Sequence, residues 1–530
     1  MLINTTTGRL RNKDEQAAAF MSLPIVNELV SSMTTRIDNG RIKHEVKQYF
    51  RYVMLSHKWE ENEPLFQQVI HIAVYDLDQS PTHDKLQMFC QIVRDAGFHW
   101  AWSDTCCINK DDHFVLQEAL VAMFKWYRGS VMTIVYLRGV RSPGELVRSI
   151  WNTRAWTLQE YVAAKVIRFY TEDWTPYLNL DASNHKESAE IISEMEEATG
   201  VSAQQLTTLR PGLSSIREKL RLASTRQTTM VEDTAYSLLG IFSVTGIPAI
   251  YGEGESALGR LLAHILTGSG DTSILAWTGQ SGASNSCLPT HITVFNGPAS
   301  SHIPLPIEDA KMEGIITTLR TTKLDLDLAL RLYDRLNELP APWFAASRMK
   351  LPCIAFKLPP LSRSRTVSGH VYRAEMPVFG MVEIKTKQDL SRLDSLYLVH
   401  PWLDTLLGRE DMESGISVED DVAEPSSPNQ EDENVSDDDI QDDASSLPEP
   451  KSPSHSTAMD TAPVDRETRA LQLVARLRQP FGALLFTLAS TRRRAVEYKR
   501  VAADSMIAVQ IQDTVPLTDV LDNVRILDVL

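Results

Sequence analysis

The chain has 530 residues and a formal net charge of −16, with 43% hydrophobic and 23% charged residues, ordinary globular proportions for a length that holds roughly two to four domains. Fifteen of the negative charges fall between Glu410 and Asp443, a run without Lys, Arg or His, which leaves −1 for everything else and excludes a basic footprint for nucleic acid. Five cysteines, an odd and sparse set, form no disulfide framework, and Met1 to Asn12 lacks the apolar core of a signal peptide, so the expected setting is reducing and cytoplasmic.

In chain order, residues 14–50 read as helical. Residues 51–55 form a short strand-like run that opens onto Ser56-His57. Between 85 and 96, Leu86, Phe89, Cys90 and Val93 share one helical face, and Phe98 to Trp102 reads as a second buried strand ending at Ser103-Asp104. From Val115, apolar residues recur at i, i+3, i+4 spacing and predict an amphipathic helix. The continuous apolar run Val131 to Leu137 has the pattern of a strand buried on both faces. A helix around Trp156–Ala164 and a strand at Val166–Tyr170 follow. Strands alternating with helices predict an α/β unit with a parallel sheet.

Residues 184–265 read as mainly helical, with helices at 187–197, 233–242 and 256–266 and a turn-rich connector from Ile247 to Glu255. The uncharged stretch Thr234–Gly252 is broken by Gly240, Gly246 and Pro248, and reads as buried helix and turn, with no membrane span. After residue 350, short β-branched runs predict a β-rich region. Residues 409–465 are rich in Asp, Glu, Ser and Pro and are expected to stay disordered. A helix over 466–489 and one or two strands over 498–512 complete the reading.

Three segments end an apolar or aromatic run in residues able to do chemistry: Tyr52-Val53-Met54-Leu55-Ser56-His57-Lys58-Trp59, Trp100-Ala101-Trp102-Ser103-Asp104-Thr105-Cys106-Cys107-Ile108-Asn109-Lys110, and Arg154-Ala155-Trp156-Thr157-Leu158-Gln159-Glu160. Such strand-end clusters are what a ligand crevice in an open α/β sheet requires. On the residues alone each has a plain alternative. Thr157-x-x-Glu160 fits a capping box. His57 fits a structural hydrogen-bonding residue, and Asp104 a helix cap or a partner for Arg154. Trp59 fits either a stacking platform for a ring or packing over the strand end. Asn109, Asp111 and Asp112 suit a turn and cap before Val115. Adjacent Cys106 and Cys107, with His99 and His113, lack zinc-site spacing, so no metal is expected. Neither G-x-x-x-x-G-K-[ST] nor a usable G-x-G-x-x-G follows a strand, and Ser56, His57 and Asp104 lack a nucleophile elbow.

In order and spacing the three segments resemble the fungal heterokaryon incompatibility (HET) domain, with Lys110 standing where that pattern usually has Gln and Lys58 where Cys is common. Asp233-Thr234-Ala235-Tyr236-Ser237-Leu238-Leu239-Gly240-Ile241-Phe242 through Tyr251-Gly252-Glu253-Gly254 resembles the stretch that often follows it in basidiomycete proteins. The HET domain in turn resembles Toll/interleukin-1-receptor (TIR) domains. The resemblance implies a TIR- or flavodoxin-like parallel sheet for the N-terminal α/β domain, with a helical extension after it. Composition and pattern add a smaller β-rich C-terminal region with a disordered acidic insertion and divide the chain into 1–50, 51–175, 176–270, 271–408, 409–465 and 466–530. The resemblance implies Glu160 as the catalytic carboxylate, Trp156 beside it and NAD as the substrate. Strand-end positions make Asp104 a second catalytic candidate, and Ser56, His57 and Trp59, with Trp156, candidates for holding NAD. No bound cofactor is implied. The expected role is a cell-death effector in vegetative incompatibility, acting on self-association or with an incompatibility partner. The alternative is an adaptor without catalysis.

Overall fold

The computed structural model describes residues 1–32, 39–297, 309–321, 324–345, 347–366, 369–393, 395–402, 466–492 and 495–530. The acidic run over 409–465 lies outside them.

The N-terminal half is built on a six-stranded sheet: β1 (Leu2–Asn4), β2 (Leu10–Arg11), β3 (Tyr52–His57), β4 (Trp100–Trp102), β5 (Met132–Tyr136) and β6 (Ile167–Tyr170), in the order β2-β1-β4-β3-β5-β6. The four predicted strands are β3 to β6, and they pair with one another in parallel. All five residues of β5 and the last five of β3 are buried, as a sheet covered on both faces demands. The short strands β1 and β2 were not read from the sequence, and β1 lies antiparallel to β4, with Ile3 opposite Ala101. Three helices follow β2: α1 (Lys13–Met21), α2 (Pro24–Ser32) and α3 (Asn39–Tyr49).

After a one-turn helix, α4 (Phe66–Val69), the crossover helices α5 (Pro81–Asp95), α6 (His113–Gly129) and α7 (Trp156–Ala163) join the parallel strands. Pro81 occupies the first turn of α5 and Ser80 caps it, an arrangement that uses the orphan donors of a helix start. Asp112 caps α6 by accepting from the backbone N–H groups of Phe114 (2.9 Å) and Val115 (3.2 Å). The inner face of α6 carries Leu120, Met123, Phe124 and Tyr127, and the Tyr127 hydroxyl donates to the Leu55 carbonyl (3.0 Å). In α7 every residue from Thr157 to Ala163 is buried, because the extension covers the side that the sheet does not.

The extension contains α8 (Ala189–Thr199), α9 (Ala203–Thr208), α10 (Ile216–Ser224), α11 (Asp233–Tyr236) and α12 (Ser256–Ser269). The helix expected over 233–242 is cut to one turn, and tight turns carry the chain on to Phe242 with Leu238, Leu239 and Ile241 buried. Gly240 lies against α6 so closely that a Cβ there would overlap the Phe124 side chain. Gly240→Ala is therefore expected to cost about 1–3 kcal/mol through overpacking, read as a lower midpoint in thermal unfolding. No helix among the described residues is long and apolar enough to cross a membrane.

The C-terminal region is β-rich. Strands Leu396–Pro401, Phe481–Arg492, Ala495–Val501, Val524–Val529 and Arg348–Lys357 are neighbours in that order, and the pairing of the first with the last closes the ring. The helix expected over 466–489 stops at Leu477. Pro480 cannot continue it, and the apolar run after it forms the longest strand of the ring. Met349, Leu351, Phe486 and Val529 join the same apolar core as the parallel sheet. Arg500 fixes this junction: buried over the Trp277 ring (3.9 Å), it donates to the carbonyls of Leu275 (2.9 Å) and Trp277 (2.7 Å).

Candidate functional site

In chain order the four parallel strands run second, first, third, fourth across the sheet. Ligand crevices in open α/β sheets form where such an order reverses, beyond the carboxyl ends of the strands. Ser56 and His57 end β3 there, Asp104 follows β4, and Glu160 comes from α7, which follows β5. A cavity of about 520 Å³ opens at this place, within the usual range for small-molecule sites. His57, Trp59, Asp104, Trp156 and Glu160 line it.

Ser56 lies behind that wall, fully buried. Its hydroxyl accepts from Trp151 Nε1 (2.8 Å) and donates to the Glu160 carboxyl. Ser56 thus aims Glu160. The capping-box alternative does not describe this geometry: Ala155 occupies the cap position without a side-chain bond, and the Thr157 hydroxyl donates to the carbonyls of Trp151 (2.7 Å) and Arg154 (2.9 Å). Burial and the nearby charge of Asp104 push the Glu160 carboxyl up to about 8, against the opposing pull of the Ser56 bond, Arg154 and Arg226.

Asp104 accepts from Trp59 Nε1 (2.7 Å). Burial raises its carboxyl, opposed by Lys110 and the Trp59 bond. Both ring nitrogens of His57 are buried with no hydrogen-bond partner among the described residues. Desolvation, with the charges of Lys85, Arg154 and Lys110, holds its basicity well below the ordinary value, so the ring is neutral. Beneath it Glu63 and Lys85 form a buried ion pair, with Glu63 Oε1 3.7 Å from His57 Nε2 and Lys85 Nζ 3.9 Å from Glu60 Oε2.

The outer wall comes from the extension. The backbone of Gln227 bonds to that of Thr153 and Ala155, which lays Gln227 to Met230 along the segment before α7. Asp233 accepts from the Tyr251 hydroxyl (2.8 Å), and Trp156 lies close enough to steady its charge. Glu232 accepts from the N–H groups of Gly252 (2.8 Å) and Gly254 (3.0 Å), fixing the turn that carries Tyr251. Arg226 is buried and donates to the Arg154 carbonyl (2.8 Å) and the Thr157 hydroxyl (2.9 Å) at the start of α7.

Sequence reading missed Lys85, Glu63, Trp151, Arg226, Lys110 and Asp233 as site residues. One of them left a signal: Lys85 lies on the same stripe of α5 as Thr82, Leu86, Phe89 and Val93, all of them buried, and a charge on an apolar stripe calls for a buried partner.

Residues 52–145 match the family described as heterokaryon incompatibility protein (HET). Over 232 residues, 40% of its length, the chain is 33% identical to vegetative incompatibility protein HET-E-1 of Podospora anserina, and it spans 16% of that relative. No solved structure matches.

Proposed function

This chain carries a HET domain, and from that premise we propose that it acts in vegetative incompatibility as a cell-death effector whose cavity cleaves the nicotinamide–ribose bond of NAD. The observation that carries the reading is the buried Glu160 carboxyl, held by Ser56 at the rim of an aromatic-lined cavity. The second-first-third-fourth strand order supports a TIR-like reading of the sheet. A carboxyl in this position suits an oxocarbenium-like ribosyl centre, as in glycoside cleavage. The C–N glycosidic bond breaks with its electron pair leaving on nicotinamide. Water then adds to the ribosyl carbon and passes its proton to Glu160, which acts in its ionised form as carboxylate and base. Asp104 holds the Trp59 indole at the cavity wall, so that ring is fixed for stacking against planar groups, with Trp156 on the same cavity.

Self-association is proposed as the trigger, so the test uses the full chain fused to an inducible dimeriser. Nicotinamide release from NAD is expected on forced association and only slowly from the monomer. No release in either state, with killing retained in cells, would support a non-catalytic adaptor.

A further inference from the structure

The cavity contains a cation that feels the charge of Asp104 but, among the described residues, is bonded to no carboxylate. Lys110 Nζ lines it, buried, with no hydrogen-bond partner among the described residues. It lies over the Trp59 ring, 3.3 Å from the centroid. Cation–π attraction stabilises an ammonium but leaves its three N–H donors unmatched, and a desolvated cation with idle donors is costly in a structure unless a ligand supplies the acceptors. Asp104 attracts Lys110 through space but accepts no hydrogen bond from it, its recorded bond being to the Trp59 indole. Arg154 and Lys58 line the same cavity, and the Arg154 charge is felt by Asp104, Glu160 and Asp233. The three carboxyls are weak competitors for an incoming anion. Asp104 is engaged by the Trp59 indole and Asp233 by the Tyr251 hydroxyl, and Glu160, pushed up to about 8, is protonated near neutral pH.

We propose that Lys110 and Arg154 form an anion subsite in this cavity that takes the diphosphate of a dinucleotide. The proposal deepens the reading of the cavity as an NAD site and rests on it. An anion drawn to Lys110 lies beside Trp59, which sets an attached ring against the indole, while the opposite end of the ligand reaches Trp156 and Glu160. Lys110 stands where the HET pattern usually has Gln, so this chain has a charge where a neutral amide is usual. That difference should tighten phosphate binding and make it salt-sensitive.

The test is calorimetric titration of the full chain with inorganic pyrophosphate and with ADP-ribose. The wild type should bind both, more weakly at high salt. Lys110→Met should weaken each by about tenfold or more, the loss expected for charge-assisted hydrogen bonds, and Lys110→Gln should do the same. Because the ammonium is unmatched in the free protein, Lys110→Met should keep or raise the thermal midpoint. Wild-type affinity in both variants would overturn the subsite, as would a wild type that releases nicotinamide but binds neither probe. A midpoint several degrees lower in Lys110→Met would also overturn it, by making Lys110 a structural residue. Binding of pyrophosphate through Lys110 without nicotinamide release would uphold the subsite and overturn the glycohydrolase instead.

Discussion

Glu160→Gln should abolish nicotinamide release and, at the same time, make the protein more stable, by a margin that grows with pH. Gln keeps the size of the side chain and an oxygen to accept from Ser56, so the arrangement around Trp151 and Ser56 persists. It removes an ionisable group that the fold holds protonated to about pH 8. The native state retains a proton that the unfolded chain releases at the ordinary carboxyl value. The carboxyl's contribution is therefore unchanged below that value, falls as pH climbs through the window up to about 8, and then levels off. Every tenfold difference in proton affinity between the folded and unfolded chain corresponds to about 1.4 kcal/mol, so the gap between variant and wild type should open by a few kcal/mol between pH 5 and pH 8.5. Thermal unfolding at several pH values reads it, and a gap independent of pH would contradict the burial argument. With the ionised carboxylate as the working form, kcat/KM for NAD should rise with pH, reach half its maximum near 8 and level off above it. Full nicotinamide release by a folded Glu160→Gln protein would end the catalytic reading.

Lys85→Met should be among the most destabilising single changes in the α/β half, at about 3–5 kcal/mol, because it leaves the Glu63 carboxylate buried beside a neutral His57 without its partner. Lys85 and Glu63 are both almost fully buried, at 2% and 7% exposure, so solvent cannot replace the lost charge. Desolvation already raises the Glu63 carboxyl, opposed by Lys85. The double variant Lys85→Met with Glu63→Gln should recover most of the loss, since it removes both charges together. A double-mutant cycle in urea unfolding measures the coupling. A double variant no more stable than Lys85→Met alone would show that the damage is to packing, with the charge playing no part.

The parallel strands were legible because they are apolar runs of a length and spacing that few other structures produce, and α6 because its stripe and its Asp112 cap are local signals. Strands β1 and β2 were not, since two or three residues carry no periodicity and their place is set by the β4 edge. The cluster at the carboxyl end was visible as three segments, each ending in polar residues. How those residues are held was not. Ser56 meets Trp151 and Glu160 across 95 and 104 positions of sequence, and only the folded sheet brings such partners together. The extension showed itself as helices, while its use as the outer wall depends on backbone bonds between Gln227 and the segment before α7. Its middle helix failed because tight turns with a buried apolar face imitate helical spacing over ten residues.

The closed ring of the C-terminal region also sets the order of events during synthesis. Strand Arg348–Lys357 finds its neighbours in Leu396–Pro401 and in Val524–Val529, so one of its edges stays open until about 170 further residues have been translated, on the order of ten to thirty seconds at the usual elongation rates. Through that interval Met349, Leu351, Cys353 and Ala355, which join the core of the parallel sheet, lack the part of their cover that Phe486, Leu527 and Val529 supply. Arg500 arrives late as well, and with it the bonds to Leu275 and Trp277. The nascent chain therefore passes through a stage in which the parallel sheet can be complete while its neighbouring core is not, and that stage is where a chaperone would find apolar surface to hold.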